Sequence, residues 1–316
     1  MPKLRREHLM STTALVVLWC LFLWRAPATF TSSAIYRSFL STIPPVTVLA
    51  LGLTFLIIMG QMDLSFPAVS ALGAWVFAKL SLAGCPSLLA LVVALASGAV
   101  AGALNALLVV QVGVPSMVAT IGTQFAWRGA LLVLSGGLAL PLASMSGSPL
   151  FELFTARLGS WAFPAQALWA LALSLGAALL LNRHPFGEAA LCVGDNPGAA
   201  RMMGIKPGWV VTKGFMLMGV CASLSGLMST FELANWWPTQ GEGYQLLAFA
   251  AVFVGGTAAS GGRGTIYGTL IGSIIIGMIE AGIIASGMTG FWTRFIHGLV
   301  IIGSVSVYAL FSRKRR

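Results

Sequence analysis

Ten apolar runs, each closed off by glycine, proline or a charged residue, take up most of this chain and leave it few ways to fold. They fall near residues 9–30, 44–59, 66–83, 87–111, 115–135, 161–182, 209–230, 246–260, 266–286 and 292–311. Water offers such surfaces no favourable arrangement. Charged residues make up 8% of the chain and mean hydropathy is +0.91, against a charged fraction of about 25% in soluble domains. A bilayer accepts them, because about 20 apolar residues cross its hydrocarbon core as a helix whose backbone groups are all satisfied internally. The runs predict an all-α, polytopic membrane protein of about ten transmembrane helices, folded as one domain over residues 1–316.

The basic residues orient it. With a cytoplasmic N-terminus, ten crossings put Lys3, Arg5, Arg6, Arg183, Arg201, Lys206, Lys213, Arg263 and the tail Arg313, Lys314, Arg315 and Arg316 inside, the excess expected of cytoplasmic loops. The formal charge of +10 is therefore a topology signal and not a nucleic-acid patch, and both termini are expected in the cytoplasm. The main periplasmic loops become 136–160 and 231–245. The pair Trp236-Trp237 in the second is expected to mark the membrane interface or a rim meeting an external partner. Lys3, Arg5 and Arg6 before an apolar run, with Ala26-Pro27-Ala28 after it, imitate a secretion signal. The bulky stretch Leu9 to Trp24, with two tryptophans and further spans behind it, reads instead as a retained helix. The four cysteines share no CxxC spacing and support neither a zinc site nor a disulfide framework.

The sizeable polar island facing inward is Asn182 to Lys213. Within it, Asp195 or Asn196 is placed to cap a helix, Pro197 suits its first position and Gly204 its stop. A helix of about two turns is not stable alone, so Ala199, Ala200, Met202 and Met203 must pack on something. They lie on the chain's own membrane domain or dock into another protein.

Two other places interrupt the spans in corresponding ways: Gly60 to Pro67, and Gly255 to Gly268. Paired interruptions of this kind point to an internal repeat, with irregular backbone that is buried or lines a cavity. Gly98 and Gly102, and Gly264, Gly268 and Gly272, stand at the spacing of close helix packing. No GxxxxGK[ST] occurs, so any ATP that drives this chain is bound elsewhere. His8, His184 and His297 are far apart, and no catalytic constellation is present. Among membrane-embedded polar groups, Asp63, Asn105, Gln124 and Glu280 are candidates for a polar pathway. Asp63 with Ser65 also suits a cap for the third run. Glu280, two four-residue steps from Gly272, is expected on that closely packed face, either bonding a neighbouring helix or lining a solute or proton path.

Four stretches in order resemble the membrane-spanning permease subunits of ribose-type bacterial ABC importers, a family that also serves xylose, galactose, other sugars and polyols. They are Gly60-Gln61-Met62-Asp63-Leu64-Ser65; Val114-Pro115 through Thr120-Ile121-Gly122-Thr123 with Arg128-Gly129; Gly194 to Gly204; and GEGYQLLAFAAVFVGGTAASGGRGTIYGTLIG from Gly241 to Gly272. The chain departs from the pattern at Pro67, where a glycine is usual, and at Gln245 and Leu247, where acidic residues are usual. The resemblance implies a permease in the bacterial inner membrane that works with a second copy or paralogue, a cytoplasmic ABC ATPase carrying ATP and Mg, and a periplasmic solute-binding protein. The chain itself would bind no cofactor or metal and would not be an enzyme. Its coupling loop, 183–208, would engage the ATPase through Asp195, Asn196, Pro197, Ala199, Ala200, Arg201, Met202, Met203 and Gly204. A permease for nucleosides or branched-chain amino acids, and an ATP-independent transporter or channel, are the alternatives.

Overall fold

The computed structural model describes residues 2–285, 292–293 and 295–303. The basic tail 313–316, used in the orientation argument, lies outside the described residues, as does the end of the last apolar run. The protein is mostly helical. In chain order come α1 (Pro2–Arg25), α2 (Pro27–Phe30), α3 (Ser33–Ile58), α4 (Phe66–Leu82), α5 (Ser87–Ala106), which runs on as a π-helix over Leu107–Val112, and α6 (Ser116–Ser135). After short elements follow α7 (Pro149–Thr155), α8 (Ala165–Arg183), α9 (Pro185–Asp195), α10 (Pro197–Met202), α11 (Pro207–Leu233), α12 (Tyr244–Val254) and α13 (Ile266–Ala285). Among the described residues, six helices are long and apolar enough to cross a membrane, and three shorter apolar helices accompany them.

The centre is α3. Leu49, Leu53, Leu56 and Ile58 are fully buried, and the helix starts eleven residues before the apolar run that announced it, with Pro44 and Pro45 inside. Ser32 begins it by accepting from Ala34 N at 3.2 Å. Ser225 of α11 donates to the Pro45 carbonyl at 2.7 Å, fastening α11 to α3 at the proline pair. Against α3 and α5 lies α11, drawn in by small residues. A side chain on Gly98 would run into the Gly219 carbonyl, and one on Gly102 into that of Phe215. Close approach of this kind gains dispersion contact where lipid supplies no hydrophobic drive. Gly268 and Gly272 do the same between α12 and α13, against Gly255 and Ala251.

At the end of α8 remote from α9 the two long loops join. Strand β1 (Leu140–Pro141) pairs antiparallel with β4 (Asn235–Trp236), and β2 (Arg157–Leu158) with β3 (Phe163–Pro164). Phe151 and Phe154 of α7 bury against Phe231. Trp236 is neither an interface marker nor a rim: it is fully buried, and its indole N–H donates to the Ala71 carbonyl at 2.9 Å. Pairing of β4 with β1 turns it inward, where its large apolar body fills the bundle's end.

Candidate functional site

The capped helix of the polar island forms as its residues predict. Asn196 Oδ1 accepts from Gly198 N at 2.9 Å and from Ala199 N at 3.0 Å, Pro197 occupies the first turn, and Gly204 ends the segment at φ +83°. Ala200 is fully buried, whereas Asp195, Asn196, Pro197, Ala199, Arg201 and Gly204 are exposed. Met202 is 92% exposed and Met203 64%, so the helix lies on its own bundle through Ala200 and turns both methionines outward. Sequence reading missed the helix before it. His184 Nδ1 accepts from Phe186 N at 3.1 Å and Pro185 opens α9, a cap and first-turn proline as plain as those of α10.

The C-terminal end of α9 packs where the two interrupted segments meet. Gly262 N donates to the Ile58 carbonyl at 2.8 Å, tying the break after α12 to the end of α3. Gly194 sits on this junction with no room for a side chain: a Cβ there would penetrate the Ile58 carbonyl and lie 2.6 Å from Gly262 N. One glycine of the island therefore touches both breaks.

The break between α3 and α4 is held open by side chains. Met62 N donates to Ser116 Oγ at 3.2 Å, Leu64 N to Thr120 Oγ1 at 2.9 Å and Ala68 N to Gln124 Oε1 at 3.3 Å. These acceptors stand four residues apart on α6, one face of a helix, and supply irregular backbone with the partners it must have away from water. Behind them, Asp63 is buried and accepts from Ser65 N at 2.7 Å and Ser65 Oγ at 2.6 Å. Asn105 donates to Ser65 Oγ at 2.7 Å and accepts from Thr123 Oγ1 at 2.7 Å. Asp63 thus closes the turn that leads into α4, accepting from the backbone of Ser65 and of Phe66, the first residue of that helix; the fully buried Asn105 locks that turn to α5 and α6.

One step further along the stripe, Arg128 fastens the other end of α6. Its terminal nitrogens donate to the carbonyls of Pro67 (3.1 Å), Gln240 (3.1 Å) and Pro238, and Nε lies 3.8 Å from Glu242 Oε1. Gln240, which sequence reading passed over, is buried and donates to the Gly226 carbonyl at 2.7 Å. Gln124 is partly exposed at the surface of the bundle. Glu280 is exposed and does not share the packed face of Gly272 and Ile276. Four-residue steps overshoot the 3.6-residue turn, so two of them rotate a residue roughly 80° about the helix axis. The structure brings Asp63, Asn105 and Gln124 together around one break and leaves Glu280 apart from them. Among the described residues no cluster of His, Cys, Asp or Glu suits a metal ion.

Apolar spans, an interrupted core helix and buried polar locks define a multi-pass α-helical membrane protein. The chain belongs to the family described as branched-chain amino acid transport system / permease component, which matches residues 35–305. It is 35% identical over 258 residues to the ribose import permease protein RbsC of Bacillus subtilis (strain 168), covering 82% of this chain and 79% of that one. It is 30% identical over 298 residues to the ribose import permease protein RbsC of Escherichia coli (strain K12), covering 94% and 92%. Against the D-allose transport system permease protein AlsC of the same strain it is 32% identical over 270 residues, covering 85% and 81%. No solved structure matches.

Proposed function

We propose that the chain is the membrane-spanning permease subunit of an ATP-driven importer for a small hydrophilic solute, a monosaccharide or polyol. The observation that carries this reading is the similarity, over most of the chain, to permeases whose names specify ribose import, autoinducer 2 import and D-allose transport. The family's own description names branched-chain amino acids, and a permease of that type is the second reading.

In the proposed arrangement, residues 1–316 form one domain of about ten spans in a bacterial inner membrane, with both termini cytoplasmic and α3–break–α4 and α12–break–α13 as related halves. Loops 136–160 and 231–245 face the periplasm and the solute-binding protein. The coupling loop 183–208 faces a cytoplasmic ABC ATPase that binds the ATP and Mg; this chain binds no cofactor. Exposure of Met202 and Met203, flexible apolar side chains suited to an adaptable docking surface, supports that role. Motion of α10 would reach both breaks through Gly194. Glu280 supports a partner within the membrane: a carboxylate facing lipid costs about 3 kcal/mol, which a second permease copy or a water-filled path removes. Gln124 and Glu280 would border the path, while Asp63 and Asn105 would shape it by holding the break.

The test is uptake in proteoliposomes containing the chain, its ATPase and its binding protein. ATP-dependent accumulation of a neutral sugar or polyol is expected, and Ala200→Pro, which breaks α10 from its buried side, should abolish it. Accumulation without ATP, or undiminished accumulation by Ala200→Pro, would overturn the reading.

A further inference from the structure

The helix α11 is longer than the apolar layer it crosses. Its 27 residues span about 40 Å at 1.5 Å per residue, against about 30 Å of hydrocarbon, so its ends reach the headgroup layers. Lys213 stands six residues in from Pro207, the first of the helix, or about 9 Å along the axis. Its backbone therefore lies at or just inside the hydrocarbon edge. Lys206, Trp209 and Met216 are exposed with it, at steps of three and four residues that keep them on one stripe. The π-helix runs alongside: a side chain on Gly208 would meet Val110 Cγ1 at 2.7 Å, and Val112 beyond it is exposed. The stripe is basic and aromatic at the end nearest α10 and apolar below.

A lysine at that depth has to carry its charge back to the polar boundary. Helix side chains lean toward the N-terminus, and Lys213 Nζ lies 5.5 Å from the centroid of the Trp209 ring, one turn nearer the helix start and within cation–π reach. The ring holds the ammonium without neutralising it. Among the described residues the ion pairs are Arg128 with Glu242 and Arg157 with Glu232, and neither lysine of the stripe has a carboxylate. The counter-charge available at this level of the membrane is the lipid phosphodiester, which attracts lysines beside a span. Trp209, 59% exposed, adds an indole N–H and a ring suited to the headgroup layer, and Met216 and Val112 face the acyl chains. A water-soluble protein stops at the headgroups and leaves the lower part of the stripe uncovered. A second copy docking by the same face would bring two more lysines and no carboxylate.

We infer that Lys206, Trp209 and Lys213 bind an anionic phospholipid of the leaflet on the α10 side, its phosphodiester held by the two lysines and its acyl chains lying along Met216 and Val112. The inference requires that the chain span a bilayer and is independent of what it transports.

The test is native mass spectrometry of the full-length chain, delipidated in detergent and titrated with dioleoyl phosphatidylglycerol or, as the neutral lipid, dioleoyl phosphatidylcholine. Phosphatidylglycerol should bind more tightly. Lys206→Gln with Lys213→Gln should weaken it about thirtyfold, at about fivefold per lysine, and leave phosphatidylcholine unchanged. Lys79→Gln, at an exposed position near the end of α4, removes a charge elsewhere and should have no effect. Lys206→Arg with Lys213→Arg should keep the lipid, which separates charge from any disturbance of the fold. Excess sn-glycerol 1-phosphate should not displace a lipid anchored by its acyl chains. Equal affinity for the two lipids, a double Gln variant that binds as the native chain does, or displacement by glycerol phosphate, the mark of a free-phosphate site, would overturn the inference. So would a double Gln variant that keeps phosphatidylglycerol but loses the ATPase or a permease dimer, since a protein would then cover this face.

Discussion

Gly194→Ala makes the sharpest use of the junction between the island and the two breaks. The backbone at Gly194 is not left-handed, so the demand for glycine there is one of space. A methyl group must displace α9 from the Ile58 carbonyl, and with it disturb the Gly262 N to Ile58 O bond of 2.8 Å. Overpacking of this kind costs about 1–3 kcal/mol, and losing the bond adds about 0.5–1.5 kcal/mol. A loss of roughly 1.5–4.5 kcal/mol is expected. Gly198→Ala, four residues on, is the matched control. Its Cβ meets only Asn196 Oδ1 at 3.2 Å, and alanine's helix propensity returns at most about 1 kcal/mol, so its net effect should lie near zero. Unfolding of both variants by dodecyl sulfate in mixed micelles, followed by circular dichroism, measures the difference directly. If the two unfold within about 0.5 kcal/mol of each other, the spread of a neutral surface change, the junction is not packed as described and cannot carry motion to either break.

Three further outcomes follow from the same contacts. A double-mutant cycle of Asn105→Ala with Ser65→Ala should give a coupling of about 0.5–1.5 kcal/mol from their 2.7 Å bond; additivity would refute the lock. Trp236→Phe should cost about 1–3 kcal/mol in the same unfolding assay through lost volume and the lost bond to Ala71, whereas Trp237→Phe, at a half-buried position, should cost less. Gly98→Leu should drive α5 from α11 and prevent stable folding, read as loss of monodisperse protein on size exclusion, while Val133→Leu on the exposed face of α6 should leave it intact.

The features legible in the sequence are those governed by local chemistry. Asn196, Pro197 and Gly204 specify a cap, a first turn and a stop within nine residues, and α10 has them. Gly98 and Gly102 promise close approach at a spacing only a helix makes useful. What the sequence hides depends on partners far along the chain. Trp236 looks like an interface residue until β1, about a hundred residues earlier, turns it inward. Ser116, Thr120, Gln124 and Arg128 are scattered polar residues in a span until their four-residue spacing meets the break that needs them. The face of Glu280 was misjudged because four-residue steps drift around a helix, and the start of α3 because Pro44-Pro45 resembles a beginning when a helix already formed can bury both. Of the four pathway candidates, three turn out to gather at one break, which their separation in sequence concealed.

Whether α10 meets a separate ATPase is the claim on which the rest depends. Met202→Cys, at a position of α10 that is 92% exposed, can be labelled with a maleimide carrying a benzophenone, whose photolysis inserts into a C–H bond of whatever protein lies against it in membranes containing the cognate ATPase. A cross-linked species of permease plus ATPase is expected, formed at Met202→Cys and absent at Val133→Cys on the exposed face of α6. Loss of permease-stimulated ATP hydrolysis is expected once the link is made. A Met202→Cys that forms no adduct with the ATPase, while ATP-driven uptake by the same preparation continues, would contradict that claim.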